Sequence, residues 1–148
     1  MSQNLLSARE IFAAVYGHPD KLYEKMSGGR QMAGHFLTNT IDENNNWIDQ
    51  TSQKNHISDI SPTASQMSRL VGLGLASKIY RNNSISGSEK FSKNGNEVVW
   101  GTIGNASTSQ GIFFEAVNAC GVLQIPTIIS VWDDEYGISV SNKEQTTK

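Results

Sequence analysis

The 148-residue sequence has one cysteine, three prolines and three histidines. A lone Cys120 cannot close an internal disulfide. Its flanks, Val117-Asn118-Ala119 and Gly121-Val122, bring no Lys, Arg or His beside it to lower its pKa, so it reads as a packed helix residue and not a reactive thiol. No apolar run approaches the roughly 18 residues of a membrane helix. The amino terminus, Met1 to Leu6, has no basic stretch ahead of a long apolar core, so no secretory signal is read and a soluble, cytoplasmic protein is expected. Neither sign of charge dominates: 12 Lys and Arg against 14 Asp and Glu give a net charge of −2. The basic residues are scattered, which argues against nucleic acid as a partner. With 37% hydrophobic and 18% charged residues, the length suits one globular domain over residues 1–148.

Ser7-Ala8-Arg9-Glu10 has the form of a capping box opening a helix to about Tyr16, with Gly17 as its stop. Asp20 is expected to cap a second short helix through about Met26, ended by Ser27-Gly28-Gly29. The polar stretch from Leu37 to Asp59, with Asn44-Asn45-Asn46 at its middle, reads as a long loop containing at most a short strand near His56-Ile57. His18 and His56 read as surface residues. Residues Ala64 to Tyr80 have a largely helical apolar spacing, with Gly72 and Gly74 letting another backbone come close.

Glu97 to Ile103 reads as a β-branched strand, Gly104 to Gly111 as a small-residue loop, and Ile112 to Cys120 as a helix ended by Gly121. Thr127 to Trp132 is a continuous apolar strand of the kind buried on both faces of a parallel sheet. Together these predict one βαβ unit.

Ligands of open α/β sheets bind beyond the carboxyl ends of the strands, where loops lead into helix amino termini. Two such ends carry ligand-type residues here. Gly104-Asn105-Ala106-Ser107-Thr108-Ser109 is small enough for a phosphate to approach its backbone, and Asp133-Asp134-Glu135 sets three carboxylates in a turn. Magnesium prefers oxygen ligands and combines one or two carboxylates with phosphate oxygens, so the two loops suit one shared ion. On pattern alone, a solvated acidic turn and a flexible loop explain the same residues. Gly72-Leu73-Gly74 lies inside a helical pattern and lacks a third glycine, so it reads as helix packing and not as a dinucleotide fingerprint.

The stretch from Gly104 to Val140 resembles the thiamine-diphosphate motif that begins Gly-Asp-Gly and ends with a pair such as Asn-Asn. Further blocks resemble the alpha-type subunit of the 2-oxo acid dehydrogenases, especially the branched-chain type. These are Gly29-Arg30-Gln31-Met32 with His35-Phe36, Ser61 to Gln66, Ser109-Gln110-Gly111 with Phe114-Glu115-Ala116, and Tyr136-Gly137-Ile138-Ser139. They occur in family order across the chain. The resemblance implies an α/β fold, part of a thiamine-diphosphate-binding fold, with a parallel sheet flanked by helices. It implies thiamine diphosphate and magnesium as cofactors. Asn105 and Asp134 then supply side-chain ligands to the ion and Tyr136 a backbone carbonyl. Gly104 and Ala106 flank the diphosphate, Ser61 and Thr63 meet the rest of the cofactor, and His35 lies near the site mouth as a candidate catalytic residue. Residues Ile60, Pro62, Ser65 and Gln66 match the surroundings of a potassium ion.

The sequence departs from that pattern at four positions, one of them Trp132, which stands where the family often has an acidic residue. Asn105 stands for the acidic residue, Asp134 for the second Asn, and Ala106 for a glycine. One amide and one carboxylate still face the ion, whereas Ala106 is strained if its φ must be positive. The resemblance also places a diphosphate-clamping Tyr-Arg pair and a histidine-bearing loop outside residues 1–148, and an activating glutamate on a beta-type partner. An internal fragment of a decarboxylating component is therefore expected. It would be inactive alone and would pair in the full enzyme with the beta-type subunit and a lipoyl-bearing acyltransferase. A non-catalytic binding or assembly module of the same fold, and an unrelated α/β phosphate binder, are the alternatives.

Overall fold

The structure is a computed structural model and describes residues 7–30, 37–57 and 61–146. Contacts gather the chain into two compact units, Met1–Asp59 with Glu89–Phe91, and Ile60–Ser88 with Ser92–Lys148.

In the first unit, α1 (Ala8–Val15) begins with the capping box the sequence predicts. Glu10 N–H donates to Ser7 Oγ at 3.2 Å, and Ser7 N–H to Glu10 Oε2 at 2.7 Å. The other Glu10 oxygen pairs with Lys25 Nζ at 2.8 Å. The Lys25 hydrogen bond, followed by those from Ser7, brings the Glu10 carboxyl down to about 2. Gly17, at φ 62°, turns the chain out of the helix.

The helix expected from Asp20 to Met26 does not form. Asp20 caps a single turn, accepting from Leu22 N–H at 2.8 Å. Beyond it the carboxylate of Glu24 takes the N–H groups of Met26, Ser27 and Gly29 at 2.9, 2.7 and 3.0 Å, and the Ser27 hydroxyl at 2.7 Å. The first two of these amides would have continued a helix, so the side chain has replaced the backbone as their acceptor. Burial opposes ionisation of Glu24, which is 1% exposed, more than any other single influence. The donors from Gly29, Ser27 and Met26 together outweigh it and hold the carboxyl below its ordinary range.

Residues 37–57 form no strand beyond an isolated bridge between Ile41 and Trp47, and the loop includes one 3-10 turn, Gln50–Ser52, capped by Asp49. His56, expected at the surface, is half-buried: its carbonyl accepts from Thr38 N–H at 2.8 Å and its N–H donates to Thr38 Oγ1 at 2.7 Å. His18 is exposed, as expected.

In the second unit the order is α2 (Gln66–Asn82), β1 (Val99–Gly104), α3 (Gly111–Leu123), β2 (Thr127–Trp132), β3 (Tyr136–Gly137), β4 (Val140–Ser141) and α4 (Asn142–Gln145). β1 and β2 pair in parallel, from Val99 opposite Thr127 to Gly104 opposite Trp132. The α/β class, with helices flanking a parallel sheet, is as expected. Met67, Leu70, Gly74 and Ser77 form the buried stripe of α2. The core joins Met67 and Leu70 to Ala64, Ile103 and Ala116, with Phe113, Cys120 and Ile129 packed around it. Cys120 is thus a packed residue.

At Gly101 in β1 an added methyl would overlap Leu70 Cδ1. A Cβ at Gly74 would lie 3.1 Å from Ile125 Cδ1 and Thr127 Oγ1, so α2 closes on side chains there, whereas Gly72 faces open space. Two further expectations change. Helix α3 runs through Gly121 and stops at Gln124, which takes the left-handed conformation at φ 49° and returns its N–H to Cys120 and Gly121 carbonyls. β2 is not buried on both faces, with Ile128 and Trp132 48% and 71% exposed, because β1 is its only strand partner among the described residues. No helix among the described residues is long and apolar enough to cross a membrane.

Candidate functional site

The site forms where β1 and β2 end side by side. Asn105 N–H donates to the Trp132 carbonyl at 3.0 Å, extending the ladder by one residue, and both chains then turn away. After β1 the small residues coil tightly. Ala106–Ser109 is a 3-10 helix, where a loose loop was expected, closed by Thr108 N–H and Thr108 Oγ1 on the Asn105 carbonyl at 3.1 and 2.6 Å. Hydroxyl side chains that bond nearby backbone favour such a turn.

After β2 the acidic residues organise their own loop. Asp133 Oδ1 accepts from Glu135 N–H at 2.8 Å and Asn142 Nδ2 at 3.4 Å, and Asp134 Oδ1 accepts from Tyr136 N–H at 3.3 Å. Glu135 and Ile138 take positive φ values of 69° and 57°. α4 braces both loops: Asn142 N–H reaches the Glu135 carbonyl at 2.9 Å, and Ser109 Oγ donates to the Gln145 carbonyl at 3.2 Å.

Between the loops lies a cleft of about 590 Å3 lined by Thr63, Gly104, Asn105, Ala106, Asp134 and Tyr136, together with Trp132, Asp133 and Gly137. Six of the positions singled out in the sequence therefore meet in one place. Thr63 arrives there from a turn in which Ala64, at φ 63°, drops its methyl into the core. Ser61 does not line the cleft, and His35 lies outside the described residues. Around the expected potassium position, Ile60 also lies outside them, the Pro62 carbonyl accepts from Ser65 N–H at 3.1 Å, and Gln66 Nε2 donates to the Thr102 carbonyl at 3.2 Å. Gln110, named in the sequence only as part of the Ser109-Gln110-Gly111 block, also lines the cleft, and so does Gln145, which had not been singled out and which only folding brings back.

A model of the dehydrogenase E1 component family matches residues 3–148. The chain belongs to the dehydrogenase E1 component family. Over 141 residues it is 29% identical to the 2-oxoisovalerate dehydrogenase subunit alpha of Bacillus subtilis (strain 168), an alignment covering 95% of this chain and 34% of that relative. The chain thus spans about a third of the relative's length, and the family is the one its ordered sequence blocks resemble.

Three observations bear on whether a metal-bound diphosphate suits the cleft of this E1-family chain. Asn105 Nδ2 is buried without a hydrogen-bond partner, an uncommon condition for a buried amide, and the amide can turn to offer its oxygen instead. Asp134 uses one carboxylate oxygen on Tyr136 N–H and leaves the other without a described protein partner. Over Gly104 a side chain would meet nothing nearer than Ser107 Oγ at 4.0 Å, so its backbone is open to approach. No group of three or more His, Cys, Asp or Glu among the described residues is placed to hold a metal. Asn105 and Asp134 instead offer one amide and one carboxylate oxygen, donors of the kind hard cations take. The residues fit the group.

Ala106 adopts right-handed 3-10 backbone and is not among the positive-φ residues. The strain that a methyl here would cause at positive φ is therefore absent.

Proposed function

We propose that this chain is the part of a 2-oxo acid dehydrogenase component, of alpha type, that holds thiamine diphosphate through a magnesium ion. The observation that carries the reading is the unpartnered Asn105 amide and the half-engaged Asp134 carboxylate on neighbouring strand ends of one cleft. In it Asn105, Asp134 and the Tyr136 carbonyl face the ion, whose charge offsets that of the diphosphate. Gly104 and Ala106 flank the diphosphate and Thr63 meets the remainder of the cofactor, whereas Ser61, two residues before it, does not line the cleft and His35 is assigned to the site by resemblance alone. Bound thiamine diphosphate supplies a carbanion-stabilising centre for decarboxylation of a 2-oxo acid. The chain's own part is to grip and orient it.

A beta-type subunit contributes the activating acid and a lipoyl-bearing acyltransferase receives the acyl group, so the isolated 148 residues do not decarboxylate. The name of the Bacillus relative favours a branched-chain 2-oxo acid as substrate.

Trp132 lines the cleft and serves as a reporter once Trp47 and Trp100 are replaced by Phe. Titration of thiamine diphosphate should quench it saturably only when magnesium is present, and Asp134→Ala should abolish the response. Absence of any response at millimolar cofactor overturns the reading in favour of a non-binding module of the same fold. Asn105→Asp adds a further test, with tighter magnesium binding expected if the amide is the weaker ligand.

A further inference from the structure

A Cβ built on Gly137 would lie 2.6 Å from Ala106 Cβ and would overlap Gln145 Oε1. Gly137 does not have a positive φ, so space and not backbone conformation excludes a side chain there. The gap between the loop after β1 and the loop after β2 therefore admits one methyl, which Ala106 contributes. Each half of this contact adjoins a proposed ligand: Asn105 precedes Ala106, and Tyr136 precedes Gly137. The loops cannot separate freely to make room, because α4 is bonded to both through Asn142 and Gln145.

We propose that Ala106 and Gly137 are a matched pair of positioning residues whose single shared methyl sets the distance between the Asn105 side chain and the Tyr136 carbonyl. The inference rests on the metal-diphosphate reading above. Alanine where the related motif has glycine is then a substitution absorbed by the bare backbone at 137. A methyl on both sides pushes the ligand loops apart; with Ala106→Gly, a methyl at 137 meets only the end of the flexible Gln145 side chain, which can turn aside.

The test compares the full chain with Gly137→Ala, Ala106→Gly and the double variant, by thermal midpoint and by manganous-ion binding in the presence of thiamine diphosphate, read from the paramagnetic resonance of free Mn2+. Gly137→Ala is expected to lower the midpoint and to weaken the ion by about 10- to 100-fold, the range seen when groups supporting a metal ligand are disturbed. Adding Ala106→Gly should restore both toward the starting values, giving strongly non-additive effects. Should Gly137→Ala fail to fold, Ala106→Ser enlarges the same contact by one oxygen and carries the same expectation. Additive midpoints, or Gly137→Ala that leaves ion affinity unchanged, overturn the pairing. No manganese binding by the unaltered chain is a different result, overturning the functional reading first and the positioning role with it.

Discussion

Glu24 offers a direct trial of how the first unit is held together. Its carboxylate accepts four hydrogen bonds at 2.7 to 3.0 Å and is 1% exposed. Glu24→Gln keeps the shape, but an amide oxygen in the Oε2 place retains the three donors from Ser27 and Gly29 only as uncharged bonds, while its NH2 faces Met26 N–H. Hydrogen bonds to a charged acceptor contribute about 1.5–3 kcal/mol each and neutral ones about 0.5–1.5 kcal/mol, so losing one and weakening three is worth roughly 4–7 kcal/mol gross. The lower desolvation cost of a neutral amide offsets part of this, leaving about 2–4 kcal/mol. The place to measure it is amide hydrogen exchange at Ser27 and Gly29 by NMR, where the variant should exchange roughly thirtyfold to several hundredfold faster at 1.4 kcal/mol per tenfold. The pH dependence follows from the same carboxylate. Its folded pKa lies below the ordinary value, so its contribution is complete above the unfolded pKa and is lost as pH falls through the folded one. In the glutamine variant that dependence should vanish. Unchanged exchange at both amides, or an acid response equal in the two proteins, refutes the account.

Three further outcomes are expected. Gly101→Ala drives a methyl into buried Leu70 and should destabilise the second unit by about 1–3 kcal/mol in urea unfolding, whereas a neutral effect would mean α2 shifts at no cost. Ile138 is fully exposed at φ 57°, so Ile138→Gly removes left-handed strain without uncovering the core and should raise stability by about 1 kcal/mol; a lower thermal midpoint contradicts this. Glu10 sits at about 2 beside Lys25, so the pair stabilises above the ordinary glutamate pKa and fades as pH falls toward about 2. With the Lys25 ammonium 64% exposed its worth is about 1 kcal/mol at most. Lys25→Gln should bring the NMR-measured Glu10 titration back up toward the ordinary range.

What the sequence made legible was governed by distance along the chain. The Ser7–Glu10 box is complete within four residues, and each strand of the β1–β2 pair declares itself through local composition. The gathering of Thr63, Asn105 and Asp134 was readable because strand ends define where an α/β site lies. The failures divide between local competition for the same backbone groups and distance along the chain. Glu24 took the amides of a predicted helix because its carboxylate folded back over them, and no local pattern encodes that. Gly121 did not stop α3 because Gln124, three residues on, supplied the left-handed turn. β2 was expected to be buried on both faces from its apolar run, yet burial depends on neighbours that a strand's own residues do not specify. Ala106 looked like a lesion as a single letter; the compensating bareness of Gly137 lies far away in sequence and became visible only as a distance.

The parallel register of β1 with β2 has a kinetic consequence. The whole of α3 lies between every pair of partners, so Asn105 and Asp134 stay apart until that crossover has closed, and non-local closure of this kind is slow compared with local helix formation. An ion that needs both groups is then a clock for the closing of the crossover: in stopped-flow refolding with manganese and thiamine diphosphate, its capture should lag behind the appearance of helix.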